Sequence, residues 1–316
     1  MIQYLKKKGR ELVEMQRLTR GCWVNIAPPF SFEELEDIAQ TLKVPIDYLT
    51  DSLDIDERSR FEVEDEVKLI VLNTPVINTN QDESAPLYIT VPIGIVLTPD
   101  HVVTISSYDN PVLERFTQNR VRGFSPEDQS LFVLQLFEQN VLRFLSCLKD
   151  LNVRRDAIEQ ELYDSSRNRE LLKLLSIEKS FVYFLTALGS NALLQVKIQR
   201  VDLLGIKNNE AKSDLLEDII TDINQAQSMA NIYSNILSGT MDSFASIVSN
   251  NQNLFIQRLT IVTVILMVPT LVASFFGMNV RVPFEGDSQW PFYAIITASV
   301  VLAGAMVWLF RRNRML

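Results

Sequence analysis

Gly277-Met278-Asn279 closes an uncharged stretch that begins at Leu259, and a neutral amide at such a position suits a hard cation that keeps its water. A carboxylate there would hold a divalent ion tightly. An amide oxygen instead accepts hydrogen bonds from the ion's hydration shell and lets the ion leave again. Asn279 supplies that oxygen, Gly277 lets the main chain come close enough for carbonyls to join it, and Met278 suits packing against neighbours. The three residues make a candidate selectivity filter, followed by a polar segment in which Glu285 and Asp287 are acidic.

The elements that position this tripeptide are apolar. From Leu259 to Phe276 the only polar side chains are Thr260, Thr263, Thr270 and Ser274; Pro291 to Phe310 is again uncharged, and Arg311, Arg312 and Arg314 follow. Each stretch is about as long as the roughly 20 residues that cross a bilayer core as a helix. A large charged portion without a cleavable leader, ahead of a hairpin that ends in arginines, predicts cytoplasmic termini in an inner or plasma membrane and an outer loop at 280–290. Two spans cannot enclose an aqueous path, so a pore requires several copies around an axis. The first span is the better lining: Asn250, Asn251, Gln252 and Asn253 precede it, and it carries Thr263 and Thr270. Ala298, Ala303, Gly304 and Ala305 suit the second span to close packing. Against the pore reading, isolated threonines often bond back to their own helix, and asparagine runs often mark solvated faces.

The rest of the chain divides by pattern. Residues 1–123 read as a cytoplasmic α/β domain: Ser31 and Glu34 have capping-box spacing ahead of Leu35, Ile38, Ala39 and Leu42, and Val67–Val71, Leu87–Val91, Ile93–Leu97 and Val102–Ile105 read as strands. Residues 124–253 read as a long-helix stalk that opens at Ser125 as N-cap with Pro126 as first helical residue, and breaks at Gly189 and at 204–209. The last helix is expected from about Ser213, with Leu216, Ile219, Ile223, Ala226, Ala230, Tyr233 and Leu237 as an apolar stripe. At 1.5 Å per residue it extends roughly 95 Å to Phe276 and is expected to be shared among subunits. Residues 254–316 form the transmembrane hairpin: pore helix 254–279, outer loop 280–290, second span 291–310 and a basic tail. The fold class is thus an α+β membrane protein.

Pro269-Thr270, Phe275-Phe276-Gly277-Met278-Asn279, the short loop, the second helix and the basic tail closely resemble the CorA-type magnesium transporters. Phe276 stands where that family usually has Tyr, and the loop lacks a Met-Pro-Glu-Leu segment. The resemblance implies a homopentameric funnel in the lipid bilayer that passes Mg²⁺, with Co²⁺ or Ni²⁺ as further cargo. It implies that Asn253, Ile256, Leu259, Val264, Met267, Thr270 and Asn279 face the axis, and that Asp218 and Asp51 bind regulatory Mg²⁺ between subunits.

Other chemistries find less support. Cys22 and Cys147 are far apart and form no Cys-x-x-Cys, His101 has no second ligand beside it, and no Gly-rich phosphate loop occurs. No organic cofactor, nucleic-acid partner or enzymatic activity is expected. A Zn²⁺ transporter of the same family shares every feature above; a membrane-anchored coiled-coil scaffold explains the long helix but not a polar-lined span that ends in an amide.

Overall fold

The computed structural model describes residues 1–9, 11–80, 82–164, 168–278 and 290–312. The chain divides into two compact units, Met1–Thr240 and Met241–Leu316.

The first unit is built on a seven-stranded sheet: β1 (Ile2–Lys8), β2 (Glu11–Met15), β3 (Trp23–Ile26), β4 (Arg60–Glu64), β5 (Val67–Ile77), β6 (Tyr88–Leu97) and β7 (Val102–Ile105). Their order is β2-β1-β3-β7-β6-β5-β4, antiparallel except for β3 against β7. The expected strands are present, but Leu87–Val91 and Ile93–Leu97 are one strand, β6, running through Pro92. Pro92 opposes Asn73, and Pro75 on β5 opposes Thr90. The N–H and C=O of Asn73 are taken by side chains outside the β5/β6 ladder. Positions 73 and 75 on β5, with their partners 92 and 90, are therefore non-bonded pairs, where the ladder asks for no proline N–H.

One face of the sheet is covered by α1 (Phe32–Leu42) and α2 (Ile46–Thr50), whose Leu35, Ile38, Tyr48 and Leu49 bury against Val24, Leu69, Val71, Val96 and Val103. The capping box forms as the sequence predicts: Ser31 Oγ accepts the Glu34 N–H at 3.2 Å, and Glu34 Oε2 accepts the Ser31 N–H at 2.8 Å. A 3-10 turn, Asp51–Leu53, follows. It lies so close to β6 that a Cβ at Gly94 would stand 2.2 Å from Ser52 Oγ, which explains glycine in the middle of a strand.

The other face carries α3 (Pro111–Thr117), α4 (Gln129–Asp164) and α5 (Asn168–Val201). Trp23, Phe116, Phe124 and Phe132 cluster there with ring centroids 4.6 to 6.4 Å apart. Helix α4 starts later than its sequence suggests. Asp128, not Ser125, is the cap: its Oδ1 accepts the Leu131 N–H at 3.1 Å and also receives Lys212 Nζ at 2.7 Å. Gly189 is no break but lies inside α5, where a Cβ would stand 3.6 Å from Gln227 Nε2, an ordinary contact. The break after α5 is as expected, and Asp202 organises it by accepting the Ile206 N–H at 2.8 Å, with Gly205 in the left-handed region at φ 64°.

Helix α6 runs from Glu210 to Phe276, crosses the boundary between the units, and begins three residues before the expected Ser213. Within the first unit its stripe is covered by the chain itself: Leu216, Ile219, Ile223, Ala226, Ala230 and Leu237 are buried. The stripe therefore buries against other helices as the sequence predicts, with Phe181 of α5 meeting Tyr233 at 6.3 Å. In the second unit α6 is followed by α7 (Trp290–Arg312).

Candidate conduction path and ion-sensing acids

Length and apolarity single out three helices that could cross a bilayer, and burial separates them. Gln129–Glu161 of α4 has 67% of its apolar window buried, whereas the windows of α6 and of Phe292–Arg312 are 6% buried each. A core helix already has its apolar partners. The other two present theirs to the surroundings, which in water is costly at about 25 cal/mol per Å².

The second unit has a sidedness. In α6, Ile261 is buried and Val264, Ile265, Val268, Pro269 and Val272 are half-buried; in α7, Ser299 is buried and Ile295, Ala303, Met306 and Phe310 are half-buried. Both sets recur at three and four residues and mark the seam of a hairpin. Around α6, at about 100° per residue, Thr270 lies about 180° from Ile261, and Leu259 and Thr263 about 160°. These residues, with Asn253, Ile256 and Met267, are exposed in the single chain. Val264 belongs instead to the half-shielded flank, about 60° from Ile261.

The threonines of this span are bonded to their own helix. Thr260, Thr263 and Thr270 each donate to the carbonyl four residues earlier, on Ile256, Leu259 and Leu266, at 2.8 Å. That satisfies the hydroxyl hydrogen and leaves only lone pairs outward. Outward lone pairs suit the hydrogens of a cation's hydration water. Pro269 removes one helix donor, so the Ile265 carbonyl lacks its usual partner from within α6.

At the end of α6, the Gly277 N–H is shared between the carbonyls of Ala273 at 2.9 Å and Ser274 at 3.2 Å. A Cβ added at Gly277 would meet Ala273 O at 3.4 Å and Ser274 O at 3.7 Å, ordinary contact distances. Nothing among the described residues therefore requires glycine here. Gly277 and Met278 are exposed; Asn279, Glu285 and Asp287 lie outside the described residues.

The two candidate sensing acids are differently placed. Asp218 is exposed on α6. Asp51, in the 3-10 turn, is paired through Oδ2 with Arg60 Nη2 at 3.1 Å. Arg60 also bonds Glu62 at 2.7 Å and pairs with Glu57, so one guanidinium serves three carboxylates. Burial disfavours its charge, but the bonds it donates to Glu62 and Glu57 outweigh this and raise its pKa. Among the described residues no cluster of three or more His, Cys, Asp or Glu is placed to hold a metal. Sequence reasoning missed Arg60, although its place between Glu57 and Glu62 was visible; it also missed the seam, which the spacing of Ile261, Ile265, Val268 and Val272 would have indicated.

Compared with known proteins, residues 20–312 match the family described as CorA-like Mg²⁺ transporter protein. The chain belongs to that family. The cobalt/magnesium transport protein CorA of Thermotoga maritima is 21% identical over 93% of this chain and 83% of its own length. The magnesium transport protein CorA of Helicobacter pylori strain J99 is 24% identical over 71% of this chain and 70% of its own. The complete structure of the CorA magnesium transporter from Methanocaldococcus jannaschii superposes with a TM-score of 0.82 at 20% identity, covering 99% of this chain and 98% of that one. The likeness extends to the α/β unit and the long helices. This CorA-family chain is a membrane transporter.

Proposed function

We propose that several copies of this chain, five by resemblance to the family, assemble around an axis lined by α6 and pass hydrated Mg²⁺ passively into the cytoplasm. Co²⁺ and Ni²⁺ are accepted as further cargo. The observation that carries the reading is the face of α6 bearing Leu259, Thr263 and Thr270, which points away from the hairpin seam and offers back-bonded hydroxyls in an otherwise apolar span. Both helices span, with the termini on the cytoplasmic side.

In this arrangement Asn279 forms the outer ring of amide oxygens, and Glu285 and Asp287 raise the local cation concentration ahead of it. Leu259 and Met267 form apolar constrictions that stop conduction by dewetting when the helices close. The membrane potential drives entry: about 2.3 kcal/mol per charge at 100 mV gives roughly 4.6 kcal/mol for a divalent ion. Intracellular Mg²⁺ bound by carboxylates between subunits favours the closed arrangement through its higher affinity for it. Asp218 is the freer ligand, because Asp51 must first be released by Arg60.

Flux into liposomes tests the proposal directly. Mg²⁺ uptake is expected in the parent, with Co²⁺ competing, and should be lost in Asn279→Ala without loss of the membrane-inserted oligomer. Near-normal uptake in Asn279→Ala would remove the amide ring, and preferential uptake of Zn²⁺ would reassign the cargo.

A further inference from the structure

Trp308, Arg311 and Arg312 lie on one face of α7, because positions three and four residues apart are neighbours on a helix. The Arg312 guanidinium lies 5.3 Å from the centre of the Trp308 ring. This face is opposite the seam: Met306 and Phe310 are each about 200° from Trp308 round the helix. Trp308, Arg311 and Arg312 are accordingly exposed, while Met306 and Phe310 are half-buried. From Ser243 to Arg312 no described residue is Asp or Glu, and among the described residues neither guanidinium is paired with a carboxylate. They stand where an apolar helix of membrane-spanning length ends, with an indole one turn deeper.

We infer that Trp308, Arg311 and Arg312 form a binding site for the phosphate of an anionic phospholipid headgroup in the leaflet at that end of α7. This rests on the reading of α7 as a span. Two guanidiniums offer the forked donors that phosphate oxygens accept. The indole is an amphipathic ring suited to headgroup depth, and stacking holds Arg312 over it instead of leaving the side chain free in water. The negative end of the helix dipole helps to keep both cations there.

The experiment uses the full-length protein with Trp290→Phe, leaving Trp308 as the tryptophan that acyl-chain quenchers reach, in bilayers mixing phosphatidylcholine and phosphatidylglycerol. Either lipid is brominated in turn, and quenching gives the relative binding constant. A several-fold preference for phosphatidylglycerol is expected, falling by about fivefold per arginine removed in Arg311→Gln and Arg312→Gln. It should fall only in part in the double Arg→Lys variant, which keeps the charge but loses the fork, and be unaffected by millimolar inorganic phosphate. A relative constant near one in the parent overturns the inference. So does a preference that survives both Gln substitutions, or that Arg258→Gln abolishes equally, which would mean general surface charge. Displacement by inorganic phosphate would reassign the site to the soluble ion. If brominated phosphatidylcholine itself fails to quench, the spanning reading fails instead.

Discussion

Asn191 on α5 and the main chain of Asn73 on β5 are hydrogen bonded in both directions: Asn191 Oδ1 accepts the Asn73 N–H at 3.1 Å, and Asn191 Nδ2 donates to the Asn73 carbonyl at 2.8 Å. This is the pairing a neighbouring strand would provide, supplied by a helix side chain where β4 no longer runs alongside, since its last partner on β5 is Val71. Asn140 of α4 donates to the same carbonyl at 3.0 Å, and Ser59 Oγ accepts from the Asn73 side-chain amide at 3.1 Å. Both long helices are thereby tied at one level to the middle of the sheet. Buried polar groups cost stability when unpaired and specify geometry when paired, so this knot fixes where α4 and α5 cross β5.

Asn191→Leu should therefore destabilise the cytoplasmic unit by ~2 kcal/mol, because two buried main-chain groups lose a partner and retain only Ser59 and Asn140. Denaturant unfolding monitored by far-ultraviolet circular dichroism reads the change. A loss no larger than that of an exposed control such as Leu193→Ala would show that the amide is dispensable.

Close approach gives the second expectation. Gly94→Ala places a methyl group 2.4 Å from Ser52 Cβ and 2.8 Å from Ile105 Cγ2, so either the 3-10 turn carrying Asp51 or strand β7 must move. The cost should be ~1–3 kcal/mol, as for other overpacked cores. Adding Ser52→Gly should recover part of it. A double variant as unstable as Gly94→Ala alone would place the strain at Ile105 instead.

The parts of this architecture that were legible in the sequence are those where one force dominates. Strands β5 to β7 read as strands because burial on both faces makes them continuously apolar, and the spans read because lipid demands the same. The flanking strands β1, β2 and β4 were not recognised: their Lys6, Lys7, Lys8, Glu11, Glu62 and Glu64 are suited to guarding sheet edges but break the alternation. Gly189 was misread as a break because glycine permits one, but α5 runs through it. The positions proposed to face the axis rest on the family resemblance, whereas the half-buried state of Val264 beside exposed Leu259 shows only in the structure.

Burial of Cys147 makes an alkaline prediction. Desolvation, with Asp150 nearby, raises its thiol from an ordinary 9.0 to about 11. A group whose folded pKa is raised contributes stability that is fully present below the unfolded value and is lost as pH rises through the folded one. Unfolding midpoints should therefore fall between about pH 9 and 11, and less so in Cys147→Ala measured against its own neutral-pH stability. Native protein should also resist thiol reagents at neutral pH, as Cys22 and Cys147 are both buried. Rapid stoichiometric labelling of the folded chain would contradict that.

Charge reversal on α6 separates the two candidate sensing acids. If Mg²⁺ between subunits holds the closed form, Asp218→Lys should make protease resistance of the cytoplasmic unit nearly independent of Mg²⁺. Arg60→Gln, which frees Asp51, should shift protection to lower Mg²⁺, because a competing tethered cation is gone. An unchanged Mg²⁺ response in both variants would make these acids ordinary solvated charges.

The conduction path has the most direct test. Single cysteines from Ile256 to Thr270 can be placed in the parent background, since the two native thiols are buried. Small polar thiol reagents should modify Leu259, Thr263, Met267 and Thr270 at helical period, leave Ile261 and Val268 protected, and label Val264 more slowly than Leu259. Mg²⁺ should slow modification at Thr270 when it occupies the path. Labelling that is uniform around α6, or strongest at Ile261, would mean that the seam and not the opposite face is wet, and α6 would then lose its place as the lining helix.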